Sequence, residues 1–294
     1  MTQYPKHIVA GLLFATYMGI PVVLWALAAQ SPWASSGSSF RSAGQLAGIA
    51  GACLFSLNFI LAARIGWIEE LLRGLPRVYS LHHLFGGLAF ILLLFHPVLL
   101  GLQYVSQSLS LAADFFLPQP TDIPRLFGVL ALGILGGLLC ITFFLRIAYH
   151  TWKSTHQWLG LALLFASLHV YLMPGNLSQA DGLRPYMVAV IIAGLLAFGY
   201  RVLFGCWLVR RSPYVVQDVE QHADATEVHL SPAEQALRYK AGQFFFISVQ
   251  HANGITREPH PFSFTSASAS AGISFAAKRL GDYTDTLGRL RKGD

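Results

Sequence analysis

Six apolar stretches divide the first two-thirds of the chain: 8–29, 45–63, 81–104, 124–147, 155–173 and 185–208. As helices rising about 1.5 Å per residue, each is long enough to cross the roughly 30 Å of hydrocarbon in a bilayer. A Ser- and Gly-rich loop, 31–44, separates the first two. The run ALAAQS at the end of the first stretch resembles a signal-peptide cleavage site. That stretch is longer than an ordinary signal core, so a retained helix is expected. After Arg210-Arg211-Ser212-Pro213 the pattern changes to short alternating runs: VVQDVE (215–220), ATEVHL (225–230), QFFFISV (243–249), PFSFTS (261–266) and GISFAAK (272–278). Gly, Pro, Asn and Ser punctuate them, which predicts an antiparallel sheet or barrel. The expected organisation is a membrane all-α six-helix bundle over 1–209, followed by a small antiparallel β-barrel over 213–294.

Composition agrees with a membrane protein. The chain is 54% hydrophobic and 12% charged, against about 25% charged in soluble domains. The net charge of +6 follows topology, and no basic stripe interleaved with aromatics suggests nucleic acid. Lys6, Arg64, Arg73, Arg77, Arg146, Lys153, Arg210 and Arg211 fall on one side of the membrane, and Arg41, Arg125 and Arg184 on the other. The positive-inside bias puts both termini and the β domain in the cytoplasm. The 105–123 loop, with Asp114 and Asp122 and no basic residue, is then external. Cys53, Cys140 and Cys206 lie in apolar stretches without CxxC spacing, so neither a disulfide framework nor a zinc site follows from them.

Two of the apolar stretches carry histidine at both ends. They are HHLFGGLAFILLLFH, 82–96, and HQWLGLALLFASLH, 156–169. Ionisable groups inside a membrane segment are by default functional. Neutral imidazole is a good iron ligand, and two facing imidazoles clamp a haem from both sides. Antiparallel helices pair His82 with His156 near the cytoplasmic face and His96 with His169 near the outer face, predicting two b-type haems. His83 competes with His82. A spacing of 14 leaves His82 and His96 about 40° apart around a helix, and 13 leaves His83 and His96 about 140° apart, which favours His82. Aligning the two repeats on Gly-Leu-Ala matches His83 with His156 instead. The second repeat itself spans 13, so the fifth helix needs tightening, a bulge or laterally offset haems. Pro97 should bend the third helix, and Arg201 either meets a haem propionate or snorkels to the surface.

The β region holds no G-x-G-x-x-G after a strand and no P-loop. Its HPFSFTSA, 260–267, resembles the flavin-binding signature of the NADPH oxidase and ferric reductase family, including its bacterial-type members. KRLGDYT, 278–284, resembles that family's second flavin motif, and AGQF, 241–244, its strand entering the barrel. The six spans with paired histidines on the third and fifth are similar to the family's membrane domain. The resemblance implies FAD, with His260 near its phosphate or ribityl side and, next along the motif, Pro261. It implies Phe262 against the isoalloxazine ring and the hydroxyls of Ser263 and Thr265 close to it. Lys278 would neutralise pyrophosphate, and Gly281, Tyr283 and Thr284 would cradle it. His260 stands where wider flavin reductases carry arginine.

The chain stops at Leu-Arg-Lys-Gly-Asp, where the family continues with a last barrel strand and a nicotinamide-binding domain. A fragment of a longer polypeptide is therefore expected, with NADPH or NADH bound by that further domain or by a separate donor protein. The resemblance implies an oxidoreductase of NAD(P)H oxidase or ferric-chelate reductase type in the bacterial inner membrane. Its electrons would pass through FAD and the haems to a small external acceptor, dioxygen or ferric iron, which Arg41 on the outer side could attract. A haem-containing relay subunit serving a partner reductase is the competing reading, and a transporter with histidine proton relays is a third.

Overall fold

A computed structural model describes residues 6–29, 35–117, 119–174, 182–208, 211–239, 243–267 and 272–294. The chain forms two compact units, residues 1–209 and 210–294.

The first unit is helical. Its elements are α1 (Lys6–Ala28), α2 (Ser36–Ala62), α3 (Gly66–Leu71), α4 (Leu75–Val105), α5 (Leu109–Phe116), α6 (Ile123–Phe144), α7 (Tyr149–Gln157), α8 (Leu159–Leu172) and α9 (Leu183–Phe198). A π-turn, Gly199–Leu203, and the short α10 (Gly205–Leu208) follow. Among the described residues five helices are long and apolar enough to cross a membrane: α1, α2, α4, α6 and the segment Leu183–Leu203. Leu12, Leu13 and Val23 on α1, and Leu84, Ile91 and Phe95 on α4, stand exposed, as lipid-facing side chains do.

The expected fifth span is not one helix of that length. It is α7 and α8 joined at Trp158, where Trp158 N–H bonds the Thr155 carbonyl at 3.1 Å and Leu161 N–H bonds the Trp158 carbonyl at 2.9 Å. Both are i→i−3 bonds, and each residue in such a turn advances about 120° rather than about 100°. This tightening rotates His169 back toward the face of His156, as a 13-residue spacing requires. Helix α2 also begins earlier than 45. Ser35 caps it reciprocally with Ser38, so much of the Ser/Gly run is the helix's first turns. The helices α3 and α5 were not expected.

Helix α2 is the packing centre, with half of its apolar window buried. Gly44, Gly48 and Gly51 form a stripe against α4, where an added Cβ would meet Leu100 at 2.8 Å, His96 at 2.6 Å and Leu93 at 2.8 Å. Such small-residue stripes let membrane helices approach closely, which substitutes for a hydrophobic drive that lipid does not supply. On its other side Ser56 donates to the Val190 carbonyl of α9.

The second unit is a β domain built from β1 (Tyr214–Gln221), β2 (Ala225–Pro232), β3 (Phe244–Ile247), β4 (His260–Ser263) and β5 (Ile273–Lys278), with the short helix α11 (Asp282–Thr286) after β5. All five runs predicted as strands form strands. They make two antiparallel sheets, β1-β2-β5 and β3-β4. A backbone bond from Thr265 N–H to the Ser274 carbonyl, 2.8 Å, links them. Among the described residues no continuous ladder closes a barrel. Strands β3 and β4 are four residues each, and Pro261 in β4 has no N–H to donate. The core is Val228, Leu230, Ile273, Phe275, Ala277 and Leu287, with Phe245, Phe262, Phe264 and Tyr283 packed partly buried against it.

Candidate functional site

The membrane histidines meet in two pairs. The ring centres of His82 and His156 lie 6.2 Å apart, and those of His96 and His169 lie 6.4 Å apart. Each pair joins α4 to the α7–α8 segment, and the continuous α4 carries both His82 and His96 on the face the 14-residue spacing selects. His83 lies edge-on to His82, with ring centres 6.0 Å apart.

What holds the rings was not read from the histidines alone. His96 Nδ1 is 2.7 Å from the Gly44 carbonyl of α2, His169 Nδ1 is 2.8 Å from the Pro124 carbonyl of α6, and His82 Nδ1 is 3.3 Å from the Asn58 carbonyl of α2. A carbonyl accepts only, so these three rings carry their proton on Nδ1 and keep the Nε2 lone pair free. That is the tautomer a metal-ligating histidine shows, with its far nitrogen donating to a carbonyl. His156 differs. Its Nδ1 is screened from solvent and makes no hydrogen bond among the described residues, while its ring stacks on Trp152 at 5.2 Å. Gly48 and Gly128 admit the His96 and His169 rings, since a Cβ at either would lie 2.6 Å from His96 Nδ1 or 2.9 Å from His169 Nδ1. The Gly44/Gly48/Gly51 spacing was the sequence signal for this side of the site.

These residues fit haem. Imidazole suits iron. Nε2 bonds of about 2 Å on each side, with each nitrogen roughly 1 Å from its ring centre, separate two ring centres by about 6 Å. Both pairs have that separation. Where α2 ends, Arg64 takes a left-handed φ of 55°. Its guanidinium bonds the Tyr79 hydroxyl and lies over that ring, 5.5 Å from its centre. Arg64 therefore has a structural partner in Tyr79. In α3, burial pushes the Glu69 carboxyl up, and Arg64 and Arg201 oppose the shift.

In the β domain the HPFSFTSA segment is split by strand alternation. His260 and Phe262 turn toward the core and Pro261 and Ser263 stand exposed. Phe262 packs on Phe275, centres 4.5 Å apart, and His260 stacks on Tyr283 at 3.5 Å and 20°. Thr265 Oγ1 lies 2.7 Å from Ser274 Oγ and donates to Glu227 Oε1 at 3.2 Å. The second motif forms the loop entering α11. Thr284 Oγ1 accepts from the N–H groups of Leu280 and Gly281 at 3.0 and 3.2 Å, and a Cβ at Gly281 would meet nothing within 4 Å. Lys278 is exposed and lies 3.7 Å from Asp224. His260 thus brings Tyr283 of the second motif against the first. Of AGQF, Ala241 and Gly242 lie outside the described residues. The exposed Ser263 and Gly281 and the aromatic Phe262–His260–Tyr283 group are what this surface offers to a planar, phosphate-bearing cofactor.

Comparison with known proteins gives two family matches. Residues 47–167 match the family described as ferric reductase like transmembrane component, and residues 215–291 match an FAD-binding domain family. The first spans both histidine pairs except His169, and the second spans every residue of the two flavin-like motifs. No curated protein matches the chain. A solved flavohemoglobin from Malassezia yamatoensis, with bound FAD and heme, is similar at 14% identity with a TM-score of 0.32. The alignment covers 90% of this chain and 62% of that one, a likeness too slight to argue from.

Proposed function

We propose that this chain, which has the NADPH oxidase/ferric reductase architecture, moves electrons across a membrane from NAD(P)H, through FAD and two b-type haems, to an external acceptor. The acceptor is dioxygen or ferric iron, and NAD(P)H is held by a further domain or a separate donor protein. The observation that carries the reading is the two imidazole pairs, with ring centres 6.2 and 6.4 Å apart, joining α4 to the α7–α8 segment. Flavin splits a hydride into single electrons and haem iron carries them one at a time.

The protein's own part is to hold and insulate. The carbonyls of Asn58, Gly44 and Pro124 fix the ring orientation of His82, His96 and His169, and Trp152 fixes that of His156. Phe262 would pack against the isoalloxazine ring, and His260, stacked on Tyr283, would lie toward the phosphate or ribityl side. Ser263 and Thr265 would supply hydroxyls near the ring, Lys278 would neutralise the pyrophosphate, and Gly281, Tyr283 and Thr284 would cradle it. The excess of Lys and Arg on one side supports a cytoplasmic flavin domain, with the protein in the inner membrane.

The test is a reduced-minus-oxidised spectrum of the purified chain, with haem counted per polypeptide. Two low-spin b-type haems are expected, and a colourless protein would sink the reading. Cytochrome c reduction with and without superoxide dismutase, set against ferric-chelate reduction, then assigns the acceptor.

A further inference from the structure

The β1–β2 hairpin carries the triplet Glu-x-His twice, as Glu220-Gln221-His222 and Glu227-Val228-His229. The antiparallel register sets Glu220 directly opposite Glu227. Residues two apart share a strand face, so Glu227 and His229 rise with the facing Glu220 from one face of the sheet, and His222 follows one residue past the end of β1. That face is the one away from the core, because Val228 and Leu230 alternate into the interior. The side chains do converge. His229 Nε2 lies 3.5 Å from Glu220 Oε1 and 4.0 Å from Glu227 Oε1, and His222 Nε2 lies 3.9 Å from Glu220 Oε2. Ligand atoms of Glu220, His222 and Glu227 all fall within 4.8 Å of one another.

Two carboxylates directly opposite on paired strands repel one another. The nearby cations are turned elsewhere, Lys278 to Asp224 at 3.7 Å and Arg279 to the Gln221 side chain at 3.4 Å. His229 Nε2 is screened from solvent yet makes no hydrogen bond among the described residues, although it faces both glutamates. Thr265 donates to Glu227 Oε1 at 3.2 Å, the kind of outer contact that orients a ligating carboxylate. Two carboxylates and two neutral imidazoles balance a doubly charged ion.

We propose that Glu220, His222, Glu227 and His229 form a divalent cation site of the zinc class on the outer face of the β1–β2 hairpin. Nitrogen and oxygen ligands in a set of four suit zinc, at bonds of about 2.0–2.2 Å. Closing the set to that distance would take rotation of the exposed Glu220 and His222 side chains. The site shares no ligand with the membrane histidines.

The experiment uses the full chain, purified with its haems in place and freed of loosely held metal. Zinc chloride is titrated by equilibrium dialysis with elemental analysis, and cobalt chloride by visible absorption. One saturable ion per chain and the visible bands of four-coordinate cobalt are expected. His222→Ala/His229→Ala removes two direct ligands and should weaken binding by more than the roughly 10- to 100-fold that loss of an outer partner costs. His150→Ala/His251→Ala, which removes two exposed histidines elsewhere, should leave binding unchanged. Glu220→Gln/Glu227→Gln should weaken binding while raising the melting temperature of the metal-free protein, since it removes the facing charges. Haem content and circular dichroism check that each variant folds. Absence of saturable binding overturns the proposal, as does binding that survives in the folded His222→Ala/His229→Ala protein.

Discussion

Gly48 of α2 and His96 of α4 are packed so closely that a Cβ on residue 48 would lie 2.6 Å from the imidazole Nδ1. Gly128 of α6 stands in the same relation to His169, at 2.9 Å. The His96–His169 pair is thus held from both flanks by helix backbones that carry no side chain there. Each flanking helix also supplies the carbonyl that takes the Nδ1 proton, Gly44 on α2 and Pro124 on α6.

Gly48→Ala should therefore push the His96 ring out of register and lose the outer haem, while the inner one is kept. Gly133→Ala is the control, because a Cβ there meets nothing within 4 Å. Redox titration of the haem bands separates the two centres. Equal loss of both haems, or loss of neither, would show that the glycine contact does not position the ring.

Replacing the histidines themselves should divide the centres in the same way. His96→Leu and His169→Leu should each remove the outer haem, and His82→Leu and His156→Leu the inner one. His83→Leu should keep both, because the 14-residue spacing aligns His82, and not His83, with His96 on α4. Haem per polypeptide from the pyridine haemochrome measures this, and retention of both haems in His169→Leu would reject the assignment.

The membrane unit was legible in outline because apolar length and paired histidines are strong local signals. The parts that were not legible depend on tertiary contact. The 13-residue spacing of His156 and His169 asked for a tightening, a bulge or offset haems, but no residue type announces that a tightened turn falls at Trp158, between α7 and α8. Serine at positions 35 and 38 reads as loop in a composition scan, yet makes the reciprocal cap that starts α2. In the β domain the alternation of PFSFTS, 261–266, predicted a strand, and the strand formed is His260–Ser263, which starts one residue earlier and stops at Ser263. Which of its residues face the core follows from its pairing with β3, Phe245 opposite Phe262 and Ile247 opposite His260. The carbonyls of Gly44, Asn58 and Pro124 are backbone groups, invisible to any search for side-chain chemistry.

Strand alternation separates two effects in the flavin segment. Ser263 is exposed, so Ser263→Ala should weaken FAD binding about tenfold, or 1.4 kcal/mol, and leave the melting temperature unchanged. Phe262 packs on Phe275 with ring centres 4.5 Å apart. Phe262→Ala should weaken FAD and also cost about 2 kcal/mol of domain stability, less than a fully buried Phe→Ala loses. Haem content should be unchanged in both. Fluorescence titration with FAD, beside thermal melts, reads the two effects separately. Unchanged FAD affinity in both variants would remove these residues from the flavin site.

Tyr283 gives the β domain a pH signature. Its hydroxyl is screened from solvent and makes no hydrogen bond among the described residues, and burial pushes its pKa from 10.0 up to about 12. The neutral phenol is therefore favoured in the folded state. Below pH 10 both the folded and unfolded chains hold this proton, and its full contribution to stability is present. Above pH 10 the unfolded chain releases the proton first, so stability falls as pH rises and the contribution is gone above about 12. The ring is partly exposed, so the effect is about 1 kcal/mol once solvent screening is allowed for. Tyr283→Phe keeps the stacking on His260 and cannot ionise. Its stability should exceed that of the parent increasingly between pH 10 and 12, and the difference between them should be constant below pH 10. Urea melts of flavin-free protein, followed by near-ultraviolet circular dichroism, provide the measurement. A difference that stays constant across pH 10–12 would mean that the Tyr283 hydroxyl ionises as freely in the folded domain as in the unfolded chain.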